Sequence, residues 1–389
     1  MLNFENTEIA FSYKSGSELS RSHFLFSILA QSWLVKLTNN AFKVGLALHL
    51  PLNWIIKPTV YKQFVGGVTI DECKPTVRKL ESFGVRAILD YSIEGGSSID
   101  EINATLEETL RSIKNAGSDP NIPFAVFKPS GFCDVEVLEV LSQNPNPPAN
   151  ALAEGENFRK RVDTLCKAAY DAGVPILIDA EDSWYQKFLD EVVDEMMAKY
   201  NKERVIVFNT FQMYRHDRMV FLKETLEKAK QGNYFAGLKF VRGAYMEKER
   251  ARAAKMGYPS PIQPNKEATD KAYDEAIIIA LQHIDRVMVF NGSHNEESNR
   301  IQAEFIVKNG LAKNDPRIWF SQLYGMSDHI SFNLAAEGYN VAKYVPYGPV
   351  RSVMPYLFRR AEENTSIAGQ TGRELRLLEI EKKRRRIGK

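Results

Sequence analysis

The chain has 389 residues, 44% hydrophobic and 26% charged, with 51 Lys and Arg against 49 Asp and Glu. That is an ordinary globular composition, long enough for one large domain and an accessory region, and its net charge of +2 gives no electrostatic case for nucleic acid. Cys73, Cys133 and Cys166 are too widely spaced for a CxxC or zinc pattern and no HExxH occurs, so neither a disulfide framework nor a metal site is expected.

Residues 1–84 read as mostly helical, with a break at Gly66-Gly67. The start, Met1-Leu-Asn-Phe-Glu-Asn, lacks the layout of a signal peptide and the Arg-rich look of a presequence. The expected setting is therefore the cytoplasm. The apolar stretches 24–35 and 44–56 are too short to span a bilayer, and Pro51 and Asn53 interrupt the second. They read as core or partner-facing helices, with shallow membrane contact as the alternative.

From residue 85 onward the pattern alternates. Apolar, β-branched runs at 85–91, 124–129, 175–180, 205–211, 235–241, 286–291, 317–322 and 341–345 read as buried strands. Segments with helical periodicity lie between or after them, at 102–116, 157–172, 184–200, 218–230, 267–284, 297–309, 329–336 and 352–364. Strands buried on both faces and each followed by a helix argue for a parallel sheet. Eight such units predict an α/β fold, a closed (β/α)8 barrel over 85–366 preceded by the helical region 1–84. An open doubly wound sheet is disfavoured by the absence of GxGxxG and GxxxxGK. The proline-rich segment 144–150 reads as a loop insertion after the second strand, and 367–389 as a charged helix or tail.

Barrels of this type carry their chemistry at the C-terminal ends of the strands. Those ends hold Lys128, Asp179, Gln212, Lys239, Arg242, Ser293, His294 and Tyr344. A lysine in a strand that should be buried, as Lys128 is, must be paired or functional. Asp179 is its candidate counter-ion. The direction of Lys239 depends on register, which the sequence leaves open. Gly243-Ala244 offers a small-residue shelf where a flat ring could approach the backbone. On the last helix Tyr356, Arg359, Arg360 and Glu363 fall at i, i+3, i+4 and i+7 and share one face. Adjacent guanidiniums suit a small carboxylate, although an isolated R-R-x-x-E is more often a solvated helix face.

Four ordered motifs then resemble one family: Ile178-Asp-Ala-Glu181, Val241-Arg-Gly-Ala-Tyr245, Gly292-Ser-His-Asn295 and Tyr356-Leu-Phe-Arg-Arg-Ala-Glu-Glu-Asn364. Together they resemble the FAD-dependent proline dehydrogenases, over about the whole proposed barrel. The stretch from Glu249 to Gly257 looks closer to the mitochondrial branch, and the length suggests a monofunctional enzyme. The resemblance implies oxidation of L-proline to Δ1-pyrroline-5-carboxylate, the first step of proline catabolism, with electrons passed from FAD to a membrane quinone. It implies catalytic roles for Asp179 and Lys239. It gives the substrate to Lys128, Leu323, Tyr344, Tyr356, Arg359 and Arg360, with Glu363 and Asp179 ordering the cations. It gives FAD to Ala180, Gln212, Lys239, Val241, Arg242, Gly243, Ala244, Ser293 and His294. Tyr344 favours proline, since relatives that prefer hydroxyproline look to carry a smaller residue there. A hydroxyproline dehydrogenase of the same barrel, a Schiff-base lyase using Lys128 or Lys239, and a barrel that only binds partners are the other readings. Quinone reduction implies access to a bilayer, and the basic run 382–386 is a candidate for peripheral contact with the inner membrane face.

Overall fold

The computed structural model describes residues 2–31, 57–92, 98–366 and 370–386, the side chains of residues 57 and 361–371 excepted. The second apolar stretch, and residues 32–35 of the first, lie outside the described residues. The strands are β1 Arg86–Tyr91, β2 Ala125–Phe127, β3 Ile176–Ile178, β4 Val207–Gln212, β5 Ala236–Val241, β6 Val287–Gly292, β7 Ile318–Leu323 and β8 Val341–Tyr347. They form one eight-stranded sheet in the order β1-β8-β7-β6-β5-β4-β3-β2, a nearly closed parallel barrel with helices around it. The expected fold class is therefore correct.

Among the helices, α1 is Thr7–Ala10, α2 Gly16–Leu29, α3 Ile70–Glu81, α4 Ile99–Ser118, α5 Val135–Gln143, α6 Ala149–Ala172 and α7 Ser183–Tyr200. After these come α8 Arg218–Gln231, α9 Met246–Met256, α10 Lys266–Gln282, α11 Glu296–Lys308, α12 Asp328–Ala336, α13 Val350–Ser366 and α14 Gln370–Arg384. Helices α5 and α9 were not expected. The segment 144–148, read as part of a loop after β2, joins α5 to α6, and α6 begins directly after Pro148, eight residues earlier than its periodicity suggested. The chain divides into two compact units, Ile88–Ser321 and Met1–Ala87 with Gln322–Lys389. This division differs from the expected 1–84, 85–366 and 367–389.

In the unit Ile88–Ser321, register fixes which side chains face inward. Thr210, Lys239 and Phe290 lie level on β4, β5 and β6, and Leu177 lies level with Phe208. Asn209, one residue away, donates to Asp190 of α7 at 3.2 Å, so it faces the helices. Alternation then turns Phe208, Thr210 and Gln212 inward, and Lys239 with them. Phe124 closes the N-terminal end of this interior. Its ring stands edge-on to Phe208, Phe290 and Trp319, with centroids 5.8, 5.1 and 5.1 Å apart. Each such pair adds about 1 kcal/mol beyond its burial. The apolar plug leaves the polar groups to the opposite end.

In the other unit, the Gly66-Gly67 break is a close approach to β8. Gly66 N–H donates to Pro346 O at 2.8 Å, and a Cβ on Gly66 would sit 2.4 Å from the Val345 side chain. The charged C-terminal stretch forms α14, whose Leu377 and Leu378 join an apolar cluster with Phe11, Leu19 and Phe26. Arg385 donates to the carbonyls of Phe11 at 2.8 Å and Lys14 at 2.7 Å, and Arg384 pairs with Glu8 at 3.2 Å. Part of the basic run is thus engaged within its own unit.

Candidate active site

Parallel strands bring their C-terminal ends to one end of the sheet. Asp90 is the penultimate residue of β1, while Lys128 and Asp179 directly follow β2 and β3. Lys128 Nζ lies 2.9 and 3.0 Å from the two Asp90 carboxylate oxygens and 3.5 Å from Asp179 Oδ2. Lys239 Nζ lies 2.5 Å from Asp179 Oδ1. The result is an alternating row, Asp90–Lys128–Asp179–Lys239. Asp179 was expected as the counter-ion of Lys128. The geometry gives Lys128 mainly to Asp90, and Asp179 mainly to Lys239. Asp90 lies at the end of the first expected strand, but its pairing with Lys128 is between strands and nothing local in the sequence signals it. Burial depresses the pKa of Lys239, with Asp179 pulling it back up.

Glu181 braces this row. Its buried carboxylate accepts from Ser130 N at 2.7 Å and Ser130 Oγ at 2.6 Å, tying down the turn Pro129–Gly131 that follows Lys128. Its main-chain carbonyl accepts from Gln212 Nε2 at 3.0 Å, which sets the plane of that carboxamide. Gln212 Oε1 is buried and meets no donor among the described residues. Leaving such an acceptor unmet costs about 1–3 kcal/mol, so it suits a ligand that brings an N–H.

Arg242 and Ser293 are brought together, but largely by each other. Arg242 donates to Asp270 at 2.7 Å, Ser293 Oγ at 2.8 Å and Ser298 Oγ at 3.0 Å, and its guanidinium covers the Tyr273 ring at 4.4 Å. Burial opposes it, but Lys266 and Arg242 together hold Asp270 below the usual carboxylate range. Gly243 has φ +132°, and a Cβ there would sit 2.4 Å from the Tyr214 ring. The small residue is thus demanded by Tyr214 as well as by the backbone. Ala180, Val241, Ala244 and His294 are half-buried at or just beyond these strand ends. An unmet carboxamide oxygen, a buried cation at Lys239 and a small-residue edge fit FAD.

The other substrate residues belong to the second unit. On α13, Arg360 is buried and its guanidinium lies 5.1 Å from the ring centroid of Tyr356, confirming the i, i+4 face. Arg359 is half-buried. Tyr356 sits in the apolar cluster against which Leu323 packs. Tyr344 is buried on β8, and its carbonyl accepts from Tyr324 N at 2.8 Å. The Glu363 side chain lies outside the described residues.

A family model described as "Proline dehydrogenase" matches residues 73–373. The chain belongs to the proline dehydrogenase family. It is 33% identical over 422 residues to proline dehydrogenase 1, mitochondrial, of Dictyostelium discoideum, covering 96% of this chain and 73% of the relative. It is 32% identical over 414 residues to the hydroxyproline dehydrogenase of Xenopus laevis, covering 96% of this chain and 88% of that one. Among solved structures, proline utilization A from Bdellovibrio bacteriovorus, inactivated by N-propargylglycine, superposes with a TM-score of 0.72 at 20% identity, over 94% of this chain. The proline dehydrogenase chain described here spans 37% of that protein's length, and the likeness concerns the fold. Among the described residues no helix is long and apolar enough to cross a membrane.

Proposed function

We propose that the chain oxidises L-proline to Δ1-pyrroline-5-carboxylate with FAD as acceptor, and that the electrons go on to a membrane quinone, opening proline catabolism. The observation that carries this reading is Arg360, buried over the ring of Tyr356 on a single helix face. A cation beside an aromatic ring suits a substrate with a carboxylate at one end and a small apolar ring at the other.

In this reading Arg359, Arg360 and Lys128 hold the carboxylate, and Tyr344, Tyr356 and Leu323 pack the ring. Positioning is the main task, because the carbon beside the ring nitrogen must be presented in one orientation. The substrate amine must be neutral for its lone pair to assist. Asp179 holds the Lys239 ammonium, and the pair fixes a donor where negative charge develops. Gln212, Val241, Arg242, Gly243, Ala244, Ala180, Ser293 and His294 would hold FAD. The chemistry FAD supplies when bound is acceptance of a hydride equivalent. No side chain need form a covalent bond. A Schiff-base lyase is disfavoured because Lys128 is bound by Asp90 and Asp179 and Lys239 by Asp179, and a lysine engaged with a carboxylate is a poor nucleophile.

Hydroxyproline is the second substrate to weigh, given the Xenopus relative. Tyr344 is buried, and in the proposed reading its ring would take the space that a ring hydroxyl needs. Anaerobic addition of L-proline to the purified protein tests the whole reading. A yellow protein bleached by L-proline is expected; a colourless protein, or a yellow one that L-proline leaves unchanged, overturns it.

A further inference from the structure

The main chain from Leu323, the last residue of β7, through the loop to Ser327, just before α12, is held by buried groups along most of its length. The carbonyls of Leu323, at 3.3 Å, and Met326 accept from Lys343 Nζ. Tyr324 N donates to Tyr344 O at 2.8 Å. Gly325 O accepts from Gln63 Nε2 at 2.8 Å. Ser327 N donates to the Glu374 carboxylate at 3.0 Å.

Lys343 is the centre of this arrangement. It lies on β8 with no exposed surface, 3.0 Å from Asp328 Oδ1. An ammonium has three N–H donors; here two carbonyls accept from it and the Asp328 carboxylate stands beside it as an ion pair. Asp328 is held in turn: Tyr13 Oη donates to it at 2.7 Å and Lys14 Nζ lies 3.4 Å away. Lys14 continues to Ser22 Oγ at 3.2 Å, and Ser22 to Gln63 Oε1 at 3.0 Å. The relay thus returns to the same loop through Gln63.

Apolar side chains of similar volume would join β8 to α12 about as firmly, since ions sealed from water gain little net stability. What they would not provide is direction. Two carbonyls and one carboxylate around one ammonium fix the path of the loop. Because side chains alternate along a strand, Lys343 faces α12 while its neighbour Tyr344 faces the other way.

We infer that Lys343, oriented by Asp328, is a positioning residue that sets where Leu323 and Tyr344 stand and so sets selectivity for substituents on the substrate ring. This rests on the proposed reading, in which those two residues pack that ring. It also gives the N-terminal segment a task, through Tyr13, Lys14, Ser22 and Gln63.

The test is steady-state kinetics of the flavin-loaded protein with L-proline and with trans-4-hydroxy-L-proline. For Lys343→Met, KM for L-proline should rise about tenfold, kcat should stay within about threefold, and the ratio of kcat/KM for the two substrates should fall about fivefold or more. A folded, flavin-loaded Lys343→Met with wild-type KM and ratio overturns the inference. Should that variant fail to fold, Tyr13→Phe and Lys14→Met each remove one contact from Asp328 while Lys343 stays paired. A smaller fall in the ratio supports the inference, and a lowered melting temperature with the ratio unchanged in both defeats it. Wild-type protein that L-proline does not bleach defeats the proposed function itself, whereas bleaching wild type beside variants of unchanged ratio defeats only the role of Lys343.

Discussion

Two buried lysine networks stand in this chain, and they differ in kind. The row Asp90–Lys128–Asp179–Lys239 lines strand ends on the inner face of the unit Ile88–Ser321, and it keeps some access, with Lys128 and Asp179 side chains 9% and 15% exposed. In the other unit the pair Asp328–Lys343 is sealed, with Lys343 at 0% and Asp328 at 1%, and Lys14 at 7% lies beside it. Both look alike in sequence, as a lysine inside an apolar run. Burial and pairing therefore do not mark a ligand-binding cation. The face it occupies and its remaining access do. The open row can meet a ligand directly, and the sealed group can act only through the main chain it holds.

The largest expected effect tests that difference in energy. Asp328→Ala strands Lys14 and Lys343 without their carboxylate and should cost about 3–5 kcal/mol of unfolding free energy. Asp179→Ala strands one lysine, Lys239, while Lys128 keeps Asp90, and does so at a side chain that is 15% exposed; it should cost about 1–2 kcal/mol. Urea unfolding of both variants reads the gap. Equal costs would erase the distinction between the two networks.

Next is the proposed carboxylate site. Arg360→Ala removes a charge-assisted contact and should raise KM for L-proline by about thirtyfold to a hundredfold with a smaller change in kcat. An unchanged KM would remove the carboxylate role. On the cofactor side, Gln212→Leu deletes the unmet acceptor without changing the side chain's bulk much. It should weaken FAD binding by about fivefold to tenfold, read by titrating the flavin-free protein and following flavin fluorescence. Unchanged affinity would leave the orphaned oxygen to some other partner.

The barrel was legible because its strands are continuous apolar runs at regular spacing. Helix α9 was not, because it buries little beyond Glu249 and Ala253 and so shows no apolar stripe. Glu249 is buried by bonds from Ser183 N and Oγ at 2.7 and 2.5 Å, a pairing that local periodicity cannot reveal. The direction of Lys239 needed cross-strand register, which is a tertiary fact. Lys343 repeats that lesson. The rule that singles out Lys128 applies equally to Lys343 in Val341-Ala-Lys-Tyr-Val345, but the face such a lysine takes and the carbonyls it meets are tertiary facts. Glu181 was quoted within a motif, yet its bond to Ser130 joins β3 to the turn after β2 and is visible only in three dimensions.

The smallest effect concerns acid. Burial pushes the Asp328 carboxyl up, but Lys343, Lys14 and Tyr13 together hold it well below the usual range. Burial also raises Glu18, yet hydrogen bonds from Lys79 and Ser15 bring it down to about 2 from 4.5. A carboxyl whose folded pKa is depressed adds stability that is complete above its unfolded pKa and is lost as pH falls toward the folded one. Both groups should therefore steepen the loss of stability from about pH 5 down to about pH 2. They should respond differently to salt. Lys79 and Glu18 are 36% and 29% exposed, so their pair is screened and worth at most about 1 kcal/mol. Glu18→Gln should flatten the acid slope slightly, and only at low ionic strength. Asp328→Asn should flatten it at low and high salt alike, because no counterion reaches the sealed group. If salt abolished the Asp328 contribution as well, the second network would be open to solvent, and the contrast between the two would rest on position alone.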